Sequence, residues 1–206
     1  MELADGVAVR VAALCLDAHG RLLEWLICAT AVRAALLVDL ALAGRLESTE
    51  DSIVIDPTPT GFAPADRLLA AVAVEPERLL DGWLDERRIG LRDVAEANVR
   101  SGRWTSRRGL LPTSRRYLDR QPGATDRDRQ LPYGPAAEQC TPADAAVAVI
   151  GLSSGLLVPP SGPPAAEILL ARAGAARWLC EAVREHLVAA RARNSWSAAV
   201  LGAGGI

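Results

Sequence analysis

Residues 142–152 are apolar almost all the way round a helix, and no other stretch limits the fold as strongly. A helix without a polar face has to sit at the centre of a protein, covered on every side. Thr141 just before it offers a hydroxyl N-cap, Pro142 takes the first helical position, and Asp144 follows as a carboxylate. Residues 25–43 form a second candidate for burial, with Ile27, Val32, Leu36, Leu37 and Leu40 set among alanines. Gly44 stands where a C′ glycine would end that helix. With 206 residues, half of them apolar, the chain suits one domain with a sizeable core.

The other segments read as smaller pieces around these two. Residues 7–16 are apolar with an ambiguous period, strand or helix, and 17–21 form a turn. A short hairpin is expected from 45–47 and 52–56, and the Pro-Thr-Pro-Thr-Gly run at 57–61 must be loop. Helices are expected over 65–74, 76–87 and 91–101, and a second hairpin over 103–107 and 110–118. Residues 119–140 are rich in Gln, Pro, Gly, Asp and Arg and read as a loose loop. After a Pro/Gly break at 153–164, helices follow over 165–173 and 175–193, and 194–206 read as a frayed tail. The expected fold is therefore all-α: a mainly helical single domain over 1–193, with buried central helices, amphipathic helices around them and two short β-hairpins.

Charge is unevenly placed. The net charge is only −2, and all 23 basic residues are arginine. Residues 1–99 hold 17 acids and 9 arginines, a balance of −8. Residues 100–120 hold seven arginines against Asp119 alone, a balance of +6. Trp104, Leu110, Leu111, Tyr117 and Leu118 are interleaved with those arginines. A basic segment with apolar groups suits docking on an anionic membrane, where each Arg contributes on the order of 1 kcal/mol. A solvated Arg-rich loop has the same composition. Nucleic acid is disfavoured by the acidic remainder of the chain.

Signals for chemistry are weak. Gly151-Leu-Ser-Ser-Gly155 matches a G-x-S-x-G elbow, with Glu167 or Glu181 and then His186 in order after it. That elbow needs a strand before it and a helix directly after, whereas Pro159 and Pro160 follow here. The glycines at 202–205 leave no room for a helix to receive a dinucleotide. Cys15, Cys28, Cys140 and Cys180 are far apart, so no metal site and no cofactor are expected. No apolar run reaches the ~18–20 residues of a membrane span, and none reads as a secretion signal. The expected location is cytoplasmic.

Leu36-Leu-Val-Asp-Leu-Ala-Leu-Ala-Gly-Arg-Leu46, then Val54-Ile-Asp-Pro-Thr-Pro-Thr-Gly61 and Asp66, resemble the Golgi phosphoprotein 3 family. Gly102, the segment Gly109-Leu-Leu-Pro-Thr-Ser-Arg-Arg-Tyr-Leu118 and the apolar helix after Thr141 recur in matching order, so the likeness spans roughly 8–193. The Ala/Arg-rich composition is that of bacterial, actinobacterial-type members. The resemblance implies a non-enzymatic protein, peripheral on the inner face of the membrane, that binds anionic lipid. Eukaryotic members bind phosphatidylinositol 4-phosphate in a shallow basic pocket, insert an apolar hairpin and gather the cytosolic tails of membrane enzymes.

By the resemblance, Trp25 and Arg33 match the pocket's tryptophan and arginine, with one gap between them. Arg88 matches one member of an arginine pair; the other falls on Leu91, with Arg92 next door. The inserting hairpin matches about 103–118, with Trp104, Leu110 and Leu111 as wedge and Arg107, Arg108, Arg115 and Arg116 as attraction. The residues alone leave Trp25 open to being a core aromatic, and Arg33 to being a helix-edge cation paired with a carboxylate. The rival functions are a cytosolic adaptor for protein tails and a small-molecule enzyme of specialised metabolism reusing the fold.

Overall fold

The structure is a computed structural model and describes residues 3–23, 25–49, 52–86, 88–108, 115–132, 137, 139–158 and 166–203. In chain order these form α1 (Val7–Leu14), α2 (Leu26–Leu42), β1 (Leu46–Ser48), β2 (Ile53–Ile55), α3 (Ala63–Val74), α4 (Leu80–Leu84) and α5 (Leu91–Arg100). Then come β3 (Trp104–Arg108), β4 (Arg115–Asp119), α6 (Pro122–Gln130), α7 (Pro142–Ser154), α8 (Ala166–Arg172) and α9 (Arg177–Ala203). The protein is mainly helical, with two separate antiparallel hairpins, β1–β2 and β3–β4.

The two apolar stretches are the centre. α2 packs on α1, α7, α9, α3 and α5, and α7 packs on α1, α2, α8 and α9. Thr141 caps α7 as its sequence implies: its Oγ1 accepts from the Asp144 N–H at 3.2 Å, and its own N–H donates to Asp144 Oδ2 at 3.1 Å. Gly44 ends α2 with a φ of 67°.

The ambiguous segment after residue 6 is a helix, and its start depends on a distant acid. Asp39, fully buried in α2, accepts hydrogen bonds from the N–H groups of Val7 at 2.7 Å and Ala8 at 2.9 Å. Those are orphan donors of the first turn of α1, satisfied from another helix. Residue 6 has to be glycine for this approach, since a Cβ there would stand 2.6 Å from Asp39 Oδ1. Burial pushes the Asp39 carboxyl up to about 7, against the two N–H bonds and the charge of Arg10, which pull it down.

In the unfolded chain that carboxyl titrates near 3.9. Between about pH 4 and 7 the folded protein therefore holds a proton that the unfolded chain has released. Stability from this residue is complete at the acid end of the window and is lost as pH rises through it, by on the order of 4 kcal/mol. Asp39→Asn has no such titration. Urea unfolding at pH 4.5 and 7.5 is expected to show the stability gap between wild type and D39N narrowing toward neutral pH; parallel curves would refute the assignment.

The stretch 119–140, expected as loop, contains α6. Its polar sequence lacks an apolar stripe, and it is held by charge instead. Arg10 of α1 reaches Asp128 of α6 through two nitrogens, at 3.0 and 2.6 Å, and Asp144 of α7 at 2.7 Å. Burial raises the Asp144 carboxyl, but the Thr141 hydroxyl and Arg10 outweigh it and hold it below the usual carboxylate range. The helix expected over 76–87 is confined to α4. Gly82 sits inside it, and Arg78 donates to the Gly82 carbonyl at 2.7 Å, engaging an acceptor that would otherwise carry the helix on. α9 continues past residue 193, where the sequence places the start of a tail.

Candidate membrane-facing site

Trp25 precedes α2 as its N-cap residue and is 65% exposed, with Leu26 exposed beside it. Trp25, Ala29 and Arg33 follow at four-residue spacing, which places them along one side of the helix. The chain between α4 and α5 crosses that side. Arg33 donates from Nε to the Leu84 carbonyl at 2.6 Å and from Nη2 to Thr30 Oγ1 at 3.1 Å. A Cβ on Gly90, the N-cap of α5, would lie 3.4 Å from Arg33 Nη1 and 3.9 Å from the Ala29 carbonyl.

Arg33 is consequently 2% exposed, which corrects the expectation that it faces a headgroup. Leu84 is the last residue of α4, so its carbonyl is one of the orphan acceptors of that helix end, and the cation suits it. Arg33 thereby fixes the turn that carries Arg88.

Arg88 itself projects outward with a side chain 92% exposed, its Nε 4.0 Å from Glu86. The backbone N–H of Arg88 and the guanidinium of Arg78 hold the Glu86 carboxyl below its usual range, although desolvation opposes them. Arg92 is exposed in the first turn of α5, while Leu91 is buried in the core. Trp25 thus stands just before α2, and Arg88 and Arg92 flank Gly90, the N-cap of α5, which lies against Ala29 and Arg33 of α2. Leu26 was not singled out in the sequence; its signal is an apolar residue in the open first turn of a helix.

The second part is the β3–β4 ribbon. Trp104 pairs with Asp119, Ser106 with Tyr117, Arg107 with Arg116 and Arg108 with Arg115. Residues directly paired share a face, and the faces alternate along each strand. One face therefore carries Trp104, Ser106, Tyr117, Arg108 and Arg115, and the other carries Thr105, Leu118, Arg107 and Arg116. Trp104 is 1% exposed, its ring centroid 5.8 Å from that of Tyr117. The expectation that it wedges between lipids is overturned. It lies at the base of the ribbon, where the first face packs on the body.

Arg107, Arg108, Arg115 and Arg116 are all exposed, as is Leu118. Among the described residues Arg107, Arg108 and Arg116 have no carboxylate partner, and Arg115 has only Glu96, at 3.7 Å. At the base, Arg103 pairs with Asp5. Leu110 and Leu111, the expected wedge, lie outside the described residues.

The nucleophile-elbow motif is helix. Ser153 and Ser154 are buried at the end of α7, donating back to the carbonyls of Val149 and Ile150, both at 2.7 Å. His186 of α9 is bonded instead to Asp81 of α4, at 2.7 Å. Among the described residues, no helix is long and apolar enough to cross a membrane. No curated protein matches the chain. A family model does: the one described as Golgi phosphoprotein 3 matches residues 10–198. That family interacts with lipids and with partner proteins, and it is not known as an enzyme family.

Proposed function

The chain belongs to the Golgi phosphoprotein 3 family, and from that premise we propose that it is a non-enzymatic peripheral membrane protein. It binds anionic, phosphoinositide-type headgroups, phosphatidylinositol 4-phosphate by family likeness, on the cytoplasmic face of a bilayer. The single observation that carries the reading is the outward half of the ribbon, where three exposed arginines have no carboxylate partner among the described residues. Cations held in the open without internal neutralisation favour a surface that supplies phosphate.

Trp25, Arg88 and Arg92 shape the headgroup site. An arginine offers phosphate two parallel hydrogen bonds, and an indole is suited to the boundary between headgroup and acyl chain. Arg33 is a positioning residue: it holds the turn that presents Arg88.

Vesicle flotation tests this. Binding is expected to be negligible on neutral phosphatidylcholine, to rise with anionic lipid and to fall with salt. Trp25→Ala with Arg88→Ser is expected to lower binding roughly tenfold or more, with an unchanged melting temperature because both side chains are exposed. Equal recovery on neutral and anionic vesicles would overturn the proposal. The adaptor reading has its own support in an apolar groove lined by Leu46, Ile53, Ile55, Trp83 and Trp178. Retention of protein partners by the variants that no longer float would favour it.

A further inference from the structure

Two cysteines that are far apart in the sequence meet where α1 ends and α2 begins. Cys15 is the C-cap residue of α1, and Cys28 lies in the first turn of α2, after its N-cap Trp25. The chain between them doubles back: Leu16 bridges to Leu22, and the Leu23 N–H donates to the Cys15 carbonyl at 2.8 Å. Both residues are buried free cysteines, and their side chains hydrogen-bond to one another.

The two thiols are not equivalent. The Cys15 S–H, helped by the backbone N–H of Trp25, holds the Cys28 thiol below its usual range, although burial opposes them. The N-terminus of a 17-residue helix favours negative charge at the same place. Cys15 is pushed well above its usual range by the same thiol contact and by burial. One sulfur is thus prepared as a nucleophile while its neighbour keeps its proton, the division of labour of a redox-active dithiol. The other cysteines show the contrast. Burial pushes the Cys180 thiol up to about 12, with the charge of Glu181 adding to it, and burial raises Cys140 as well.

We propose that Cys28 and Cys15 form a reversible thiol–disulfide site oxidised by hydrogen peroxide, with Cys28 attacking and Cys15 resolving. The Cys28 thiolate attacks one peroxide oxygen: the S–O bond forms, the O–O bond breaks, and hydroxide leaves to become water by taking a proton from solvent. The Cys15 sulfur then attacks the Cys28 sulfenic acid. The S–S bond forms, the S–O bond breaks, and the hydroxyl leaves with the Cys15 proton as a second water. Two thiols have given up two electrons, and one peroxide has been reduced to two waters. Sulfurs that already hydrogen-bond need little movement to reach the S–S length of about 2.05 Å.

Access is through the helix end. Ile27 and Ala29, on either side of Cys28, are half-buried, and Trp25 and Leu26 before them are exposed. The terminal turn of a helix opens more readily than its middle, and the oxidant is small. The inference rests on the junction of α1 and α2 and not on lipid binding, so it stands or falls apart from the membrane reading.

The reduced full chain is treated with hydrogen peroxide in native buffer, quenched with N-ethylmaleimide, cleaved after arginine and analysed by mass spectrometry. Cleavage places Cys15 in the peptide 11–21 and Cys28 in the peptide 22–33. A link between these two peptides is expected, removed by dithiothreitol, while Cys140 and Cys180 stay free. Cys28 is expected to react at least tenfold faster than Cys180, and that preference should vanish in urea. Cys15→Ser keeps a hydroxyl donor beside Cys28 but cannot resolve, so sulfenic acid should accumulate on Cys28 and be trapped by dimedone. Cys28→Ser is expected to leave Cys15 unmodified. The proposal is overturned if native Cys28 oxidises no faster than Cys180, or if peroxide yields only links to Cys140 or Cys180 or between chains. These readouts on the wild-type chain decide the matter even where a variant fails to fold.

Discussion

Trp104→Ala is expected to cost about 3–5 kcal/mol of folding stability, the largest effect of any single substitution considered. The ring is buried at the base of the ribbon against Tyr117, and removing it opens a cavity where the ribbon joins the body. Its indole N–H is buried with no acceptor among the described residues. Trp104→Phe therefore keeps most of the packing and strands no donor, and is expected to cost less than about 1.5 kcal/mol. Urea unfolding of the two variants measures this directly. A W104A protein of wild-type stability that no longer floats with vesicles would put the ring at the bilayer and contradict the buried placement.

Replacing Arg107, Arg108, Arg115 and Arg116 together by serine is expected to have the opposite profile. Each arginine near an anionic leaflet contributes about 1 kcal/mol, so losing four lowers partitioning onto anionic vesicles by roughly a thousandfold. Binding to neutral vesicles should not change. The melting temperature should hold or rise slightly, because the substitutions remove two like-charge cross-strand pairs, Arg107 with Arg116 and Arg108 with Arg115. Flotation across a salt series and a thermal melt suffice. A quadruple variant that still floats on anionic lipid would show that attraction comes from elsewhere on the surface.

The parts of this fold that were legible in the sequence are those whose cause is local. The capping residues of α7 sit within four positions of one another, and the unbroken apolar circumference that follows admits no place but the centre. The β1–β2 hairpin was equally readable, since its two short segments flank the polar Ser-Thr-Glu-Asp stretch. What sequence reading missed depends on partners far along the chain. α6 has no apolar periodicity, and its anchor is Arg10, 118 residues from Asp128. Arg33 reads as a polar-edge cation until the carbonyl of Leu84, 51 residues on, is seen to reach it.

Trp104 is a different kind of miss. Local composition suggests exposure, because arginines crowd the residues after it. Burial along a ribbon is decided by strand parity and by distance from the turn, which composition does not carry. Ser106 and Tyr117 on the same face already mark the inward side, and Arg107 and Arg116 the outward one. The candidate site inherits the same division: Trp25, Arg33, Arg88 and Arg92 were all readable as types, but the burial of Arg33 and its bond to the Leu84 carbonyl were not.

The carboxylate of Asp39 has a consequence for how the molecule assembles. α1 has eight residues, too few to persist as an isolated helix in water, and the group that completes its first turn arrives 31 and 32 positions later. The opening segment is thus expected to remain unstructured during synthesis until the acid-bearing helix has emerged, and then to close onto it as a late docking step. Protection of the Val7 and Ala8 amides in pulsed hydrogen exchange should lag behind that of the helix interior they dock against.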